Sequence, residues 1–255
     1  MKAHALFFSL ASFLGLAAIL SCGCDLFDDD DDGVFAGVVR IFGSGVVAEE
    51  TRSVSGFSGI RHATQGSLQI ERTGSESLLV RAEDNLLPYL DSVVTGGTLE
   101  LRTEGNVDLE PTRPIVFEAT ATTLETVELS GVGETTAIGA MGDRLRLTVS
   151  GVGNITATSV EGNRLDSTLA GVGNMDVSGE VNLQFVDLSG EGNYDARNLA
   201  STDTEVSISG EGTVTVWATG TLDVTISGTG NVFYLGSPVV TENITGVGSV
   251  EPLTD

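Results

Sequence analysis

The stretch TVELSGVGETTAIGAMGDRLRLTVSGVGNITAT, residues 126–158, decides the fold because it contains two copies of the motif Ser-Gly-Val-Gly. With changes at its first and third residues, the motif recurs at spacings of 18 to 20 residues, and its copies start at Ser130, Ser150, Ala170, Ser189, Ser209, Ser227 and Thr245. A fixed period near twenty residues is typical of stacked repeats that bury their apolar faces against one another.

Aligning the copies places apolar residues at alternate positions on both sides of the motif. The residue before it is always aliphatic: Leu129, Val149, Leu169, Leu188, Ile208, Ile226 and Ile244. The residue two positions earlier is mostly apolar: Val127, Leu147, Ser167, Val186, Val206, Val224 and Glu242. Alternation with period two predicts strands with one buried face. We therefore predict an all-β fold, a parallel β-helix (β-solenoid) with about 18–20 residues per coil.

The motif itself is predicted to be the sharp turn between two strands of each coil. Such a corner needs positive φ or close backbone approach, which glycine provides without strain. The predicted turn glycines are Gly131, Gly133, Gly151, Gly153, Gly171, Gly173, Gly190, Gly192, Gly210, Gly212, Gly228, Gly230, Gly246 and Gly248. Asparagine follows four copies and is expected to form a stacked amide ladder, with a ligand site as the alternative: Asn154, Asn174, Asn193 and Asn231.

The first residues predict export. A basic start is followed by an apolar run from Ala5 to Leu20, shorter than a membrane-spanning helix needs. We predict a lipoprotein signal peptide at 1–21 with Cys22 as the lipidated residue, and Cys24 as the alternative acceptor. Residues 22–35 are predicted to be an acidic tether, because dense like charges repel and stay extended; a calcium loop is the alternative, but its ligand spacing is absent.

Charge and cysteine content exclude several classes of protein. The net charge is -24, and Lys2 is the only lysine, so no basic patch for nucleic acid is visible. The two cysteines both lie in the leader region, so the folded part has no disulfide framework and depends on packing.

Upstream of the regular repeat, the sequence is less periodic. We expect 36–118 to form irregular first coils and a cap, and 119–255 to form the regular solenoid. Gly43-Ser-Gly45 is interpreted as an isolated early copy of the corner. Short strand-like runs are expected around 68–70, 78–81, 99–102 and 115–117.

Four features together resemble the head GIN domain family of auto-transporter adhesins. They are Phe57-Ser-Gly-Ile60, Ala82-Glu-Asp-Asn-Leu-Leu-Pro-Tyr-Leu90, Gly97-Thr-Leu-Glu-Leu101 and the serial SGxG motifs, and the resemblance covers about residues 36–255. It implies a right-handed parallel β-helix at or near the surface of a Gram-negative cell, with no catalytic residues. No membrane-barrel segment follows the repeats, so we do not expect the chain to translocate itself.

Few residues in the repeat suggest chemistry. Asp176 and Asp195, and likewise Glu191 and Glu211, occupy equivalent positions in adjacent coils and are the candidates for weak divalent-cation binding or for polysaccharide hydrolysis. Neither pair has an evident cationic or aromatic partner, so we predict no catalytic residue, no metal site and no cofactor. His62 is expected at the surface or in the cap, and Trp217 and Tyr89 are expected to pack or cover an edge rather than to stack on sugars.

The predicted function is therefore a non-enzymatic lipoprotein of the outer membrane or periplasm-facing envelope that is held by a lipid anchor. Its partner is expected to be a glycan or another envelope or extracellular polymer, bound on polar strand faces. The alternatives are a polysaccharide-active enzyme and a purely structural envelope protein; the oligomeric state stays open.

Overall fold

The computed structural model describes residues 38–253. The predicted signal peptide, Cys22, Cys24 and the acidic tether lie outside the described residues. Among residues 38–253, no helix is long and apolar enough to cross a membrane.

The second half of the chain is a β-solenoid of stacked parallel coils, as the repeat predicts. Its strands are β10 (Thr126–Leu129), β11 (Val132–Ile138), β12 (Met141–Val149), β13 (Val152–Leu169), β14 (Val172–Leu188), β15 (Glu191–Ile208), β16 (Glu211–Ile226), β17 (Thr229–Gly236), β18 (Val239–Ile244) and β19 (Val247–Pro252). All of these strands pair in parallel with the neighbouring coils.

The register follows the aligned motifs residue by residue. Leu129 pairs with Val149, Gly133 with Gly153, and Ser207 with Thr225. The first two residues of each motif interrupt the strands and form the corner, where two successive amides donate to one carbonyl of the previous coil. In one example, the amides of Ser150 and Gly151 lie 2.9 and 3.1 Å from the carbonyl oxygen of Leu129.

The N-terminal part combines one more coil with antiparallel strands. Its elements are β1 (Val39–Phe42), β2 (Val47–Arg52), β3 (Gly59–His62), β4 (Gln65–Arg72), β5 (Ser77–Glu83), a 3-10 turn (Leu87–Tyr89), β6 (Leu90–Thr95), β7 (Thr98–Thr103), β8 (Val107–Glu110) and β9 (Val116–Ala121). Strands β3 and β4 form a coil between two others: β10 and β11 stack on one side, and β7 and β9 on the other. At that end, β5 pairs antiparallel with both β2 and β9, and β6 pairs antiparallel with β7. Strands β1 and β8 pair in parallel in a separate two-stranded sheet.

The interior of the solenoid is a continuous apolar core built from the predicted columns. The aliphatic residues before each corner are buried from Leu129 to Ile226. Ile244, in the same column, is 37% exposed because no described coil covers β18. In the next column Glu242 pairs in register with Val224 and is exposed, so a carboxylate stands at the open end of this column in the outermost coil. A charged side chain on an edge strand discourages further strand pairing.

The interpretation of Gly43-Ser-Gly45 as an early corner is wrong. These residues join β1 to β2, which pair with different partners, β8 and β5. The early corner is instead at 63–66, where Gln65 pairs with Val132 and Gly66 with Gly133. Thr64 stands where later coils have the first glycine, which is why the motif is not recognisable there.

Candidate ligand-binding faces

The corner divides the outer surface of the solenoid into two faces with distinct residues. We define the leading face as the outward side chains before each corner, with the central column Glu100, Arg61, Glu128, Thr148, Thr168, Asp187, Ser207, Thr225 and Asn243. The trailing face contains the outward side chains after each corner, with the column Gln69, Thr136, Thr156, Asp176, Asp195, Thr215, Phe233 and Glu251. Both columns are almost entirely polar and run along the stacked coils.

The predicted turn glycines lie where neighbouring coils approach most closely. A Cβ added to Gly171 would lie 2.0 Å from the carbonyl oxygen of Gly151, although the φ of Gly171 is not positive. Gly173 has φ +155°, and its added Cβ would lie 1.7 Å from the carbonyl oxygen of Gly153. The two glycines of a motif therefore make room for the backbone of the previous coil.

Three of the four asparagines after the corner form the expected amide ladder, whereas Asn231 has Thr213 as its register partner and accepts hydrogen bonds from Ser249. The side-chain amide of Asn174 donates to Oδ1 of Asn154 at 2.9 Å, and that of Asn193 donates to Oδ1 of Asn174 at 2.9 Å. Asn154 in turn donates to Glu134 at 2.8 Å. The ladder binds neighbouring coils together along the corner.

The acidic pairs are placed in register as the alignment predicts, but one of them has a cationic partner. Asp176 pairs with Asp195, and Arg197 donates to Asp195 with Nη2 2.8 Å from Oδ2. The expectation that this pair lacks a cation is therefore wrong, because Arg197 lies outside the repeat pattern in a bulge of β15. Hydrogen bonding to Asp195, followed by its negative charge, raises the pKa of Arg197. Glu191 and Glu211 are register partners at the corner, both exposed.

No group of three or more His, Cys, Asp or Glu side chains within 38–253 is arranged to hold a metal ion. Asp195 is engaged in the ion pair with Arg197, and Asp176, Glu191 and Glu211 are exposed carboxylates.

His62 is not at the surface. It lies in β3 between Leu101 and Leu129, in the aliphatic column before the corner, and is fully buried. Its Nδ1 is 3.1 Å from Oγ1 of Thr135, its ring meets Phe117 edge-on, and Nε2 has no hydrogen-bond partner within the described part of the chain. Burial lowers the pKa of His62 to about 4. The surface expectation fails because the early corner beside His62 lacks the motif that would have marked it.

Glu83 gives a structural role to the Ala82–Leu90 segment. This buried carboxylate accepts hydrogen bonds from the amides of Gly45 and Thr112 at 2.6 and 2.8 Å and from the Thr112 hydroxyl at 2.6 Å. The Thr112 hydroxyl is the main cause that lowers the pKa of Glu83. Glu83 thus connects the loop that contains Gly45 to the loop that contains Thr112, at the antiparallel end of the domain.

The aromatic residues singled out in the sequence have different environments. Tyr89 is half-buried and packs against the core. Trp217 points outward on the trailing face and is 38% exposed. Sequence reasoning missed Phe233, which lies on the same face in the next coil. Extending the motif alignment to the outward positions, six and eight residues after each motif start, would have placed both aromatics there.

Comparison with known proteins agrees with this architecture. Residues 56–238 match the family described as "Putative auto-transporter adhesin, head GIN domain". The crystal structure of a putative adhesin from Bacteroides fragilis has 25% sequence identity and a TM-score of 0.78, covering 84% of this chain and 100% of its own. No curated protein matches the sequence.

Two further crystal structures share the fold. A putative adhesin from Parabacteroides merdae is 18% identical with a TM-score of 0.65, over 85% of this chain and 100% of its own. A protein from Parabacteroides distasonis described as a putative lipid binding protein is 23% identical with a TM-score of 0.65, over 84% of this chain and 100% of its own. The family match spans most of the 255 residues, so the chain belongs to the head GIN domain family of auto-transporter adhesins.

Proposed function

We propose that this protein is a non-enzymatic, lipid-anchored binding protein of the cell envelope that presents its solenoid faces to an envelope or extracellular polymer. The observation that carries the proposal is the pair of outward polar columns, which run in register from coil to coil. A repeating row of hydroxyl, amide and carboxylate groups suits a repeating ligand, because one polymer chain can contact several coils at once. Membership of an adhesin family supports the same role.

The arrangement of charged groups supports binding rather than catalysis. Glycoside hydrolysis requires one carboxyl group whose proton is retained beside an ionised partner. Asp195 instead accepts hydrogen bonds from the Arg197 guanidinium on both of its carboxylate oxygens, at 2.9 Å each. This ion pair supports a binding role for the Asp176 and Asp195 pair rather than a role as acid and nucleophile.

Anchoring is proposed at Cys22, directly after the apolar run, with Cys24 as the second acceptor. Palmitate labelling of the expressed precursor, compared with Cys22→Ala and Cys24→Ala, tests this part of the proposal. Label that is lost only in Cys22→Ala is the expected result. An unlabelled parent protein would remove the anchor from the proposal.

Binding is tested on a glycan array with the full-length protein purified in detergent, with and without calcium and at two ionic strengths. We expect reproducible binding to one polymer class. A blank array from a protein with a β-rich circular dichroism spectrum would contradict polymer binding and favour a structural envelope role. Release of sugar fragments during incubation would contradict the non-enzymatic role.

A further inference from the structure

The trailing face changes character abruptly in its last coils. From Gln69 to Asp195 its central column is polar in every coil. The next coils place Trp217, Phe233 and Leu235 outward, with Thr215 paired to Phe233 and Trp217 paired to Leu235. These four residues form a block two coils high and two outward positions wide, which we call the aromatic platform.

The aromatic platform is a solvent-facing surface and not part of the core. Trp217 is the only tryptophan of the chain and is 38% exposed. Its indole Nε1–H has no acceptor among residues 38–253. Thr215 points outward yet is only 6% exposed, so its larger neighbours cover it and make the surface apolar. Adjacent coils are about 4.8 Å apart and alternate residues along a strand about 7 Å apart, so the platform has the dimensions of a sugar ring.

A polar rim borders the aromatic platform on the side of the previous coil. The register between β15 and β16 shifts between Ala196 and Ala200, and of the three extra residues Arg197 and Asn198 are exposed while Leu199 is buried. Arg197 is exposed and pairs with Asp195, the register partner of Thr215. An ion pair at this position offers both donors and acceptors to vicinal hydroxyl groups. Bulges that redirect a side chain are frequent beside binding sites.

The charge around the platform selects among polymers. The central column of the trailing face contains the acidic residues Asp176, Asp195 and Glu251, and Arg197 is the nearby cation. The net charge of the chain is -24. This field repels uronic acid and sulfated polymers. Aromatic rings, by contrast, pack well against the C–H faces of uncharged sugars.

We propose that the aromatic platform of Trp217 and Phe233 is a binding site for an uncharged glycan chain. The sugar ring stacks on these two side chains, and the Arg197–Asp195 pair together with the indole N–H hydrogen-bonds its hydroxyls. The inference rests on the proposed polymer-binding function and narrows it to one ligand class and one end of the trailing face.

Because Trp217 is the sole tryptophan, its fluorescence reports directly on the site. The full-length protein in detergent is titrated with soluble neutral polysaccharides, namely laminarin, glucomannan and dextran, and with polygalacturonate as the anionic comparison. We expect a saturable shift of Trp217 emission with at least one neutral polymer and none with polygalacturonate. Retardation of the protein in native gels containing each polymer measures binding independently of fluorescence.

Two substitutions keep the reporter and separate the faces. Phe233→Ala removes half of the aromatic platform and is expected to weaken binding by about tenfold. Phe185→Ala removes a half-buried outward aromatic from the leading face, where Arg164 lies 3.6 Å from its ring centroid, and is expected to leave binding unchanged. Thermal melting by circular dichroism establishes that both variants are folded. If Phe233→Ala is not folded, Trp217→Ala replaces it and its binding is measured by gel retardation alone.

The outcomes distinguish the site from the function. Gel retardation without any change in Trp217 emission, or equal binding by the parent and Phe233→Ala, overturns the aromatic platform and leaves the polymer-binding function intact. Binding to polygalacturonate alone overturns the choice of an uncharged ligand and with it the inference. Absence of retardation by every polymer overturns both the inference and the proposed function.

Discussion

The side-chain amide of Gln184 donates to the phenolic oxygen of Tyr194 at 2.8 Å in the middle of the solenoid, where both residues are buried. Ser167 also reaches this oxygen at 3.3 Å, and Oε1 of Gln184 accepts from Ser201 at 3.3 Å. A polar network thus connects several coils inside an otherwise apolar core. Burial raises the pKa of Tyr194 to about 12, so the phenol is neutral and its hydrogen-bonding capacity is divided among these partners.

Removing the Tyr194 hydroxyl should be costly. Tyr194→Phe leaves the Gln184 amide without its acceptor in a site closed to water, and we expect a loss of about 1–3 kcal/mol in the free energy of unfolding. Chemical denaturation monitored by circular dichroism measures the loss. Tyr234→Phe is the matched control, because Tyr234 is only half-buried and its hydroxyl has no partner within 38–253. Equal losses in the two variants would contradict a stabilising role for the network.

His62 should make the fold sensitive to acid. Its pKa is about 4 when folded and 6.5 in the unfolded chain, so the unfolded state binds the proton more tightly. The contribution of neutral His62 is complete above pH 6.5 and is lost as the pH falls from 6.5 toward 4, by up to about 3 kcal/mol. We expect His62→Leu, which continues the column of Leu101 and Leu129, to show a smaller loss of stability over this range.

The measurement for His62 is denaturant unfolding of both proteins at several pH values across that window. Comparing each protein with itself at neutral pH cancels the packing change caused by the substitution. A parallel decline in parent and variant would assign the acid sensitivity to carboxylates instead.

At the corner, contact between a new side chain and the previous coil should destabilise the fold more than an unfavourable φ angle does. Gly171→Ala forces a Cβ to within 2.0 Å of the previous coil's backbone, and we expect a loss of about 3 kcal/mol or more. Gly105→Ala is the comparison, because Gly105 has φ +80° but no atom within 4 Å of an added Cβ, so only conformational strain of about 1–2 kcal/mol applies. Thermal and denaturant unfolding should rank the two in this order, and the reverse order would refute the steric explanation.

Arg197 should neutralise repulsion between stacked carboxylates. In Arg197→Gln, Asp195 loses its partner beside Asp176, and we expect a lower melting temperature in dilute buffer that recovers in molar salt, where charges are screened. Asp176→Asn added to this variant should restore the melting temperature. In the parent, millimolar calcium should leave melting unchanged; a calcium-dependent increase would return Asp176 and Asp195 to consideration as a cation site.

The regular coils were predictable because their information is local and repeated. Each copy of the motif marks a corner, and one alignment places Leu129, Val149 and their successors inside the solenoid. The order of the N-terminal coils was not predictable, since β3 lies between β7 and β10, and a later segment therefore folds back past an earlier one. The corner beside His62 was not predictable for the same reason. Thr64 stands there in place of the motif glycine, and only the pairing of Gln65 and Gly66 with a strand distant in sequence identifies the segment as a corner.

The candidate site was only partly accessible from the sequence. Polar outward columns follow from alternation, but Arg197 belongs to a bulge that breaks the repeat. The outward positions of Trp217 and Phe233 follow from the motif alignment, since β16 and β17 pair without a register shift. Their position relative to Arg197 depends on how the register between β15 and β16 resumes after that bulge.

Residues 150–169 begin and end at equivalent points of the corner, since Ser150 and Ala170 each donate to the aliphatic residue that precedes the corner of the coil before. Deleting or duplicating such a segment would leave both ends of the domain unchanged and alter its height by about 4.8 Å. The distance between the aromatic platform and the N-terminal end of the domain would therefore change by one coil height for each coil added or removed. Duplication or deletion of a single coil gives a lineage a simple route to longer or shorter forms.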